Sequence, residues 1–155
     1  YRMYASSLQT ILLRYGAFEP IVSGFNPWME ESIKPTLFEK YGGISTVSNI
    51  VQDFYRDILE DEKLRAYFAP GNMPVLMDHQ LKSLGQVLGG PIHYEGEELK
   101  TAHAGLGITA DDYDKVTRIL AINLQDAGFE PADLEQVMSE ISRIRGDIIE
   151  NNEEI

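Results

Sequence analysis

The side chains of this sequence best suited to bind a metal are its three histidines, His79, His93 and His103. Neutral imidazole is the commonest metal ligand, and a ligand histidine usually donates its second ring N–H to a nearby oxygen. His103 stands in KTAHAGLGI, where a loop carbonyl could accept that N–H, and His79 precedes Gln80 in the helical pattern VLMDHQLKSL. Spacing alone favours the simpler interpretations, an exposed loop histidine and a polar helix-surface histidine.

Two polar residues stand within apolar stripes, and each needs a hydrogen-bond partner. Gln80 lies four residues after Leu76 and therefore on the same helix face, where an unpaired amide would be costly. Tyr55 follows Phe54 on the inward side of its helical pattern, and a buried phenol also needs a partner. A structural tyrosine would donate to a backbone carbonyl, whereas a functional one would donate to a bound ligand.

The composition excludes several classes of site and partner. The chain has no cysteine, which rules out disulfides, zinc–thiolate sites and thiolate-ligated iron. Its net charge of −12 repels phosphate backbones and anionic lipid headgroups, so we expect neither nucleic acid nor a membrane as a partner. No apolar run is long enough to span a membrane, and no leader is evident, so we expect a cytoplasmic protein.

The hydrophobic periodicity is helical nearly throughout and predicts an all-α fold, because no stretch alternates like a half-buried strand. Ser45 is the predicted N-cap of a helix over residues 45–60. Pro74 suits the first turn of the helix that carries Gln80, and Gly89 with Gly90 ends that helix.

The second half of the chain begins with the least regular segment. Residues 92–107, which contain His103, are predicted to form a loop with at most a short helix. Thr109 and Asp112 have the spacing of a capping box and open the next helix. Pro131 then opens a last helix with an apolar side.

Residues 1–35 differ in character from the rest and are predicted to be an N-terminal extension, a helix plus an aromatic connection. The domain proper is predicted over residues 36–155. The extension is interpreted as a helix packed on the main body, with a docking arm for another domain or subunit as the alternative.

Six motifs follow one another in order with short gaps. They are TLFEKYGG (36–43), VQDFYRDILEDEKL (51–64), YFAPGNM (67–73), DHQ (78–80), LGGPIHYEG (88–96) and AHAGLGI (102–108). Together they resemble the group one truncated haemoglobins, with similarity to cyanobacterial members, over about residues 36–148. The resemblance implies a two-over-two helical sandwich of the truncated globin type that holds haem b, iron protoporphyrin IX.

The resemblance also implies roles for single residues. His103 matches the proximal iron ligand, and Phe68 matches the aromatic residue that packs on the porphyrin. Tyr55 matches the distal tyrosine, while Leu76 and Gln80 match the distal-helix positions that face a bound gas. Tyr55 and Gln80 are thereby the candidate catalytic pair.

Other positions match less completely. His79 matches a histidine that in certain cyanobacterial members becomes the sixth iron ligand, and the alternative is a haem-edge residue, because one step turns a side chain about 100° around a helix. Lys100 is a candidate for the haem propionates, with a solvated lysine as the alternative. Leu84 and Met77 depart from residues common in the family, so their usual roles are not carried over, and His93 is expected at the surface.

The implied function is reversible binding of dioxygen, nitric oxide and carbon monoxide at haem iron. The resemblance also suggests oxidation of nitric oxide to nitrate, supported by a reductase that returns ferric iron to the ferrous state. Two alternatives stay open, a gas or redox sensor domain of a larger protein and a haem-free helical interaction module.

Overall fold

The computed structural model describes residues 34–68 and 71–150, except for the side chains of residues 96–98. Every regular element in these ranges is a helix, which confirms the predicted all-α class. The helices are α1 (Leu37–Lys40), α2 (Gly43–Glu60), α3 (Glu62–Arg65), α4 (Met73–Val87), α5 (Gly96–His103), α6 (Ala110–Asp126), α7 (Pro131–Arg143) and α8 (Arg145–Ile148). The extension predicted over residues 1–35 lies almost entirely outside the described residues, so it stays a prediction.

Helix α2 starts earlier than the sequence pattern predicted. Its N-cap is Gly42 rather than Ser45, and Gly42 has a φ of 102°. This left-handed conformation favours glycine, and a Cβ there would come within 2.7 Å of the Thr46 hydroxyl. The chain therefore turns directly from α1 into α2, and the prediction of Ser45 as N-cap was wrong.

The helices form two packed pairs. Helix α2 packs against α4, α6 packs against α7, and α2 and α4 also contact the second pair through α6 and α7 respectively. The apolar stripes predicted for these helices face the space between the pairs, as amphipathic helices require. The buried core contains Val47, Ile50, Val51, Phe54 and Ile58 of α2, Leu84 and Leu88 in and after α4, Leu120 and Leu124 of α6, and Val137, Ile141 and Ile148 of α7 and α8.

The segment around His103 is more regular than a loop. It contains the eight-residue helix α5, which has His103 as its last residue. Gly105 and Gly107 follow with φ values of 77° and 65° and turn the chain toward α6. The predicted last helix is interrupted at Ile144, between α7 and α8. None of the helices in the described ranges is long and apolar enough to cross a membrane.

Candidate functional site

A largely apolar cavity of about 410 Å³ lies between the two helix pairs, within the usual size range of ligand pockets. Helices α2 and α4 contribute to one part of its wall, and α5, α6 and α7 contribute to another. Six of the seven residues predicted for the site line it: Tyr55, Phe68, Leu76, His79, Gln80 and His103. Lys100 does not line it and has an exposed side chain.

His103 has the geometry of a metal-binding histidine. Its Nδ1 lies 2.6 Å from the backbone carbonyl oxygen of Leu99, one turn earlier in α5. A carbonyl only accepts, so Nδ1 is the protonated nitrogen of the neutral ring, and in that tautomer Nε2 keeps its lone pair. A hydrogen bond of this kind fixes the tautomer and orientation of ligand histidines. The sequence suggested a loop carbonyl as the acceptor. In the structure the acceptor is instead a carbonyl of the same helix, that of Leu99.

His79 also lines the cavity, on α4, and its ring contacts Tyr94. Nδ1 of His79 lies 3.4 Å from the Tyr94 hydroxyl, and the two rings meet edge to face with centroids 5.9 Å apart. Tyr94 is buried, and its backbone N–H donates to the side chain of Gln86. Tyr94 was not predicted as a site residue, although an aromatic residue between Pro91 and Gly96 is a usable signal for a buried side chain.

Tyr55 is buried in the cavity wall with a hydroxyl that is weakly bonded. It donates to the carbonyl oxygen of Leu76 at 3.3 Å, which is long for an O–H donor. Burial raises the pKa of Tyr55 to about 12, so the hydroxyl stays protonated and can act as a donor at neutral pH. Tyr55 therefore donates to a backbone carbonyl, which is the bond expected of a structural tyrosine.

Gln80 is the second polar group that the sequence placed here. None of the described residues hydrogen-bonds its amide, and Tyr55 in particular does not. Phe68 meets the ring of Tyr55 edge to face, with centroids 5.7 Å apart. The amide and the phenol are thus polar donors in a wall that is otherwise mainly apolar.

A buried carboxylate in the same wall was not predicted as a site residue. Asp112 is only 2% exposed, and it accepts hydrogen bonds from the hydroxyls of Tyr67 at 2.6 Å and Thr109 at 2.8 Å. Lys63 Nζ lies 2.6 Å from its other oxygen. Burial by itself raises the pKa of Asp112, but these hydrogen bonds together outweigh it and lower the pKa to about 2.

The capping box predicted at the start of α6 is therefore only half formed. The Thr109 hydroxyl accepts the backbone N–H of Asp112, as predicted. The Asp112 carboxylate is bonded to Tyr67, Lys63 and the Thr109 hydroxyl. It is held by partners that are far from it in the sequence.

The remaining predicted positions lie away from the cavity. Leu84 is buried in the core and does not line the cavity, and Met77 is half-buried beside the core. His93 is exposed, as expected for a residue without a role in the site.

The cavity residues fit a metal ion that takes most of its ligands from a bound cofactor rather than from the protein. Among the described residues, no group of three or more histidine, aspartate or glutamate side chains could hold a bare metal ion. Instead, His103 offers one free ring nitrogen in a mainly apolar cavity. A metal whose other ligands come from a flat, apolar cofactor fits such a site, and haem with a proximal histidine is the common case.

Comparisons with known proteins agree with this chemistry. Residues 36–150 match the bacterial-like globin family. The group 1 truncated haemoglobin of Tetrahymena thermophila is 32% identical over 111 residues, which cover 72% of this chain and 88% of that protein. The group 1 truncated haemoglobin GlbN of a Synechocystis species is 31% identical over 115 residues, which cover 72% of this chain and 90% of that protein.

Solved structures show the same fold. The truncated haemoglobin of Tetrahymena pyriformis in its Fe(III) form superposes with a TM-score of 0.68 at 30% identity, covering 74% of this chain and 98% of that one. The 2/2 haemoglobin of a Synechococcus species, described with covalently attached haem, has a TM-score of 0.67 at 25% identity over 74% of this chain and 98% of that one. The two helix pairs described above are thus the two-over-two sandwich. The chain belongs to the bacterial-like globin family and, within it, to the group one truncated haemoglobins, haem proteins that bind diatomic gases such as dioxygen.

Proposed function

We propose that this chain binds haem b through His103 and takes up dioxygen, nitric oxide and carbon monoxide reversibly. Ferrous haem supplies an iron position at which such gases bind. His103 would hold the iron, Phe68 and Leu76 would pack against the porphyrin or its ligand, and the absence of cysteine favours a haem without thioether links. The single observation that carries the proposal is the free Nε2 of His103 in an apolar cavity.

A haem titration tests this proposal. We expect the wild-type chain to bind one equivalent of haem with a Soret band, and His103→Ala to lose most of that binding because the iron then lacks its protein ligand. His93→Ala is the matched control, since His93 is an exposed histidine outside the cavity. Full haem retention by His103→Ala would refute the assignment and leave the haem-free interaction module as the better interpretation.

Tyr55 and Gln80 are proposed to hydrogen-bond the bound gas. The Tyr55 hydroxyl is protonated and is held only by a 3.3 Å bond to Leu76, so it can change partner at little cost. The Gln80 amide lines the same cavity. Two such donors favour a ligand with partial negative charge, and dioxygen polarises in this way more than carbon monoxide does.

His79 is proposed as the sixth iron ligand when no gas is present. Its Nδ1 lies 3.4 Å from the Tyr94 hydroxyl, which can accept the Nδ1 proton and so leave the Nε2 lone pair for a metal. We expect the ferrous, gas-free protein to show a low-spin spectrum that becomes high-spin in His79→Ala. Identical high-spin spectra would leave His79 as a haem-edge residue. Lys100 stays a candidate for the propionates, with its exposed side chain favouring the solvated alternative.

A catalytic role is proposed in nitric oxide removal. With haem bound, its ferrous iron would supply the one electron that nitric oxide and dioxygen need to form nitrate, and a reductase would then return an electron to the ferric iron. Tyr55 and Gln80 would orient the dioxygen for this reaction. Mixing the oxygenated ferrous protein with nitric oxide should give ferric haem and nitrate in a rapid reaction, and a slow or absent reaction would refute it.

The sensor alternative depends on residues 1–35. Deleting them should change assembly or ligand binding if they transmit a signal, and a deletion that changes neither would exclude that role. The cytoplasmic location stays a prediction of the sequence.

A further inference from the structure

The buried carboxylate of Asp112 ties two separate segments of the chain together at the cavity. Tyr67, just after α3, donates its hydroxyl to Asp112 of α6 at 2.6 Å, and Lys63 of α3 lies 2.6 Å from the other carboxylate oxygen. Both Tyr67 and Asp112 line the cavity. We infer that Lys63, Tyr67 and Asp112 form a latch that positions Phe68 at the cavity and slows the release of haem.

The latch acts on Phe68 through the backbone, because Tyr67 is its neighbour in the chain. The Phe68 N–H donates to the Arg65 carbonyl at 3.1 Å, which keeps both residues in the turn that ends α3. The Phe68 ring then meets the ring of Tyr55 edge to face. Fixing the Tyr67 side chain on α6 therefore fixes where Phe68 can lie beside the proposed distal donor.

The strength of the latch follows from its charge and burial. Asp112 is 2% exposed, and a hydrogen bond to a buried charged group is among the stronger ones in proteins. A separate ion pair between Asp61 and Lys115 tethers the start of α3 to α6. Loss of the Tyr67 hydroxyl should therefore free the end of this segment near Phe68 while its start stays attached.

The molecule contains a matched arrangement away from the cavity. The Tyr41 hydroxyl donates to Asp133 at 2.5 Å, and Lys40 Nζ lies 2.6 Å from the same carboxylate oxygen. Tyr41 and Asp133 do not line the cavity. The Tyr41 hydroxyl also accepts the Glu130 N–H, so removing it should weaken the fold at least as much without touching Phe68, and Tyr41→Phe separates general stability from positioning.

The experiment measures transfer of haem from the ferric holoprotein to excess apomyoglobin. We expect about tenfold faster transfer from Tyr67→Phe, the effect of one lost hydrogen bond to a charged group, and an unchanged rate from Tyr41→Phe. Lys63→Gln should give a smaller acceleration, and its exposed side chain makes it a second variant if Tyr67→Phe folds poorly. The rate of carbon monoxide rebinding after photolysis should change in Tyr67→Phe and should equal the wild-type rate in Tyr41→Phe.

Two results would contradict the inference that these residues form a latch. Wild-type haem transfer from both latch variants would show that the contact does not control haem release, and equal acceleration in Tyr41→Phe would show a general loss of stability. The inference rests on the proposed haem site, which His103→Ala tests separately. Haem loss in His103→Ala with wild-type transfer in the latch variants would reject the latch and leave the haem site standing.

Discussion

Replacing Tyr55 by phenylalanine removes the donor that we propose for dioxygen and should speed dioxygen dissociation. A hydrogen bond to a charged partner contributes about 1.5–3 kcal/mol, but the hydroxyl must give up its long bond to Leu76, which offsets about 0.5 kcal/mol or more. A net effect of about 1–2 kcal/mol corresponds to about 5- to 30-fold faster dissociation. Stopped-flow displacement of dioxygen by carbon monoxide measures this rate.

Tyr113 provides the matched control for Tyr55. It also lines the cavity, and its hydroxyl donates to the Ile141 carbonyl at a short 2.7 Å. That bond is close to ideal for a structural tyrosine, so Tyr113→Phe should lower the free energy of unfolding by about 1 kcal/mol and leave dioxygen dissociation unchanged. A wild-type dissociation rate in Tyr55→Phe, or an equal acceleration in both variants, would refute the assignment of Tyr55 as the donor.

Three further predictions concern the hydroxyl beside His79, the buried carboxylate of Asp112 and the partly exposed carboxylate of Glu150. Tyr94→Phe removes the hydroxyl beside Nδ1 of His79, so the low-spin fraction of the ferrous protein should fall; an unchanged spectrum would show that Tyr94 does not orient His79. Asp112 has its pKa lowered from 3.8 to about 2, so its stabilising effect is complete above pH 3.8 and is lost as the pH falls through 2. The difference in unfolding free energy between wild type and Asp112→Asn should shrink over that range, and a constant difference in acid titrations would contradict this. The Glu150 carboxylate accepts two glycine N–H groups of the loop after His103, so Glu150→Gln should shift the iron–histidine stretching band in resonance Raman spectra, and an identical band would exclude this coupling.

The helical class and most of the core could be predicted from the spacing of apolar residues along the chain. Val47, Ile50, Val51, Phe54 and Ile58 are spaced by three and four residues and are all buried. That spacing is a local property of an amphipathic helix, so it needs no knowledge of the partner helix. Local signals were weaker at helix ends, where Gly42 rather than Ser45 caps α2 because a left-handed glycine permits the earlier turn.

The motifs also placed Tyr55, Phe68, Leu76, His79, Gln80 and His103 together, and all six line one cavity. The contacts of Asp112 and Tyr94 could not be read in the same way. Asp112 has the spacing of a capping residue, but its carboxylate meets Tyr67, 45 positions earlier. Tyr94 meets His79 across 15 positions. Neither separation follows a helical period, so the contact exists only once the helices have packed.

The sequence by itself thus determined the helical class and which faces of the main helices are buried, and its motifs named the side chains that are proposed to serve a haem. The tertiary structure decided which partner each polar group takes: Leu99 for His103, Leu76 for Tyr55, Tyr94 for His79 and Tyr67 with Lys63 for Asp112. The physical reason is that periodicity and capping act within a few residues, whereas a buried donor or acceptor must be satisfied by whichever group the packing brings within about 3 Å.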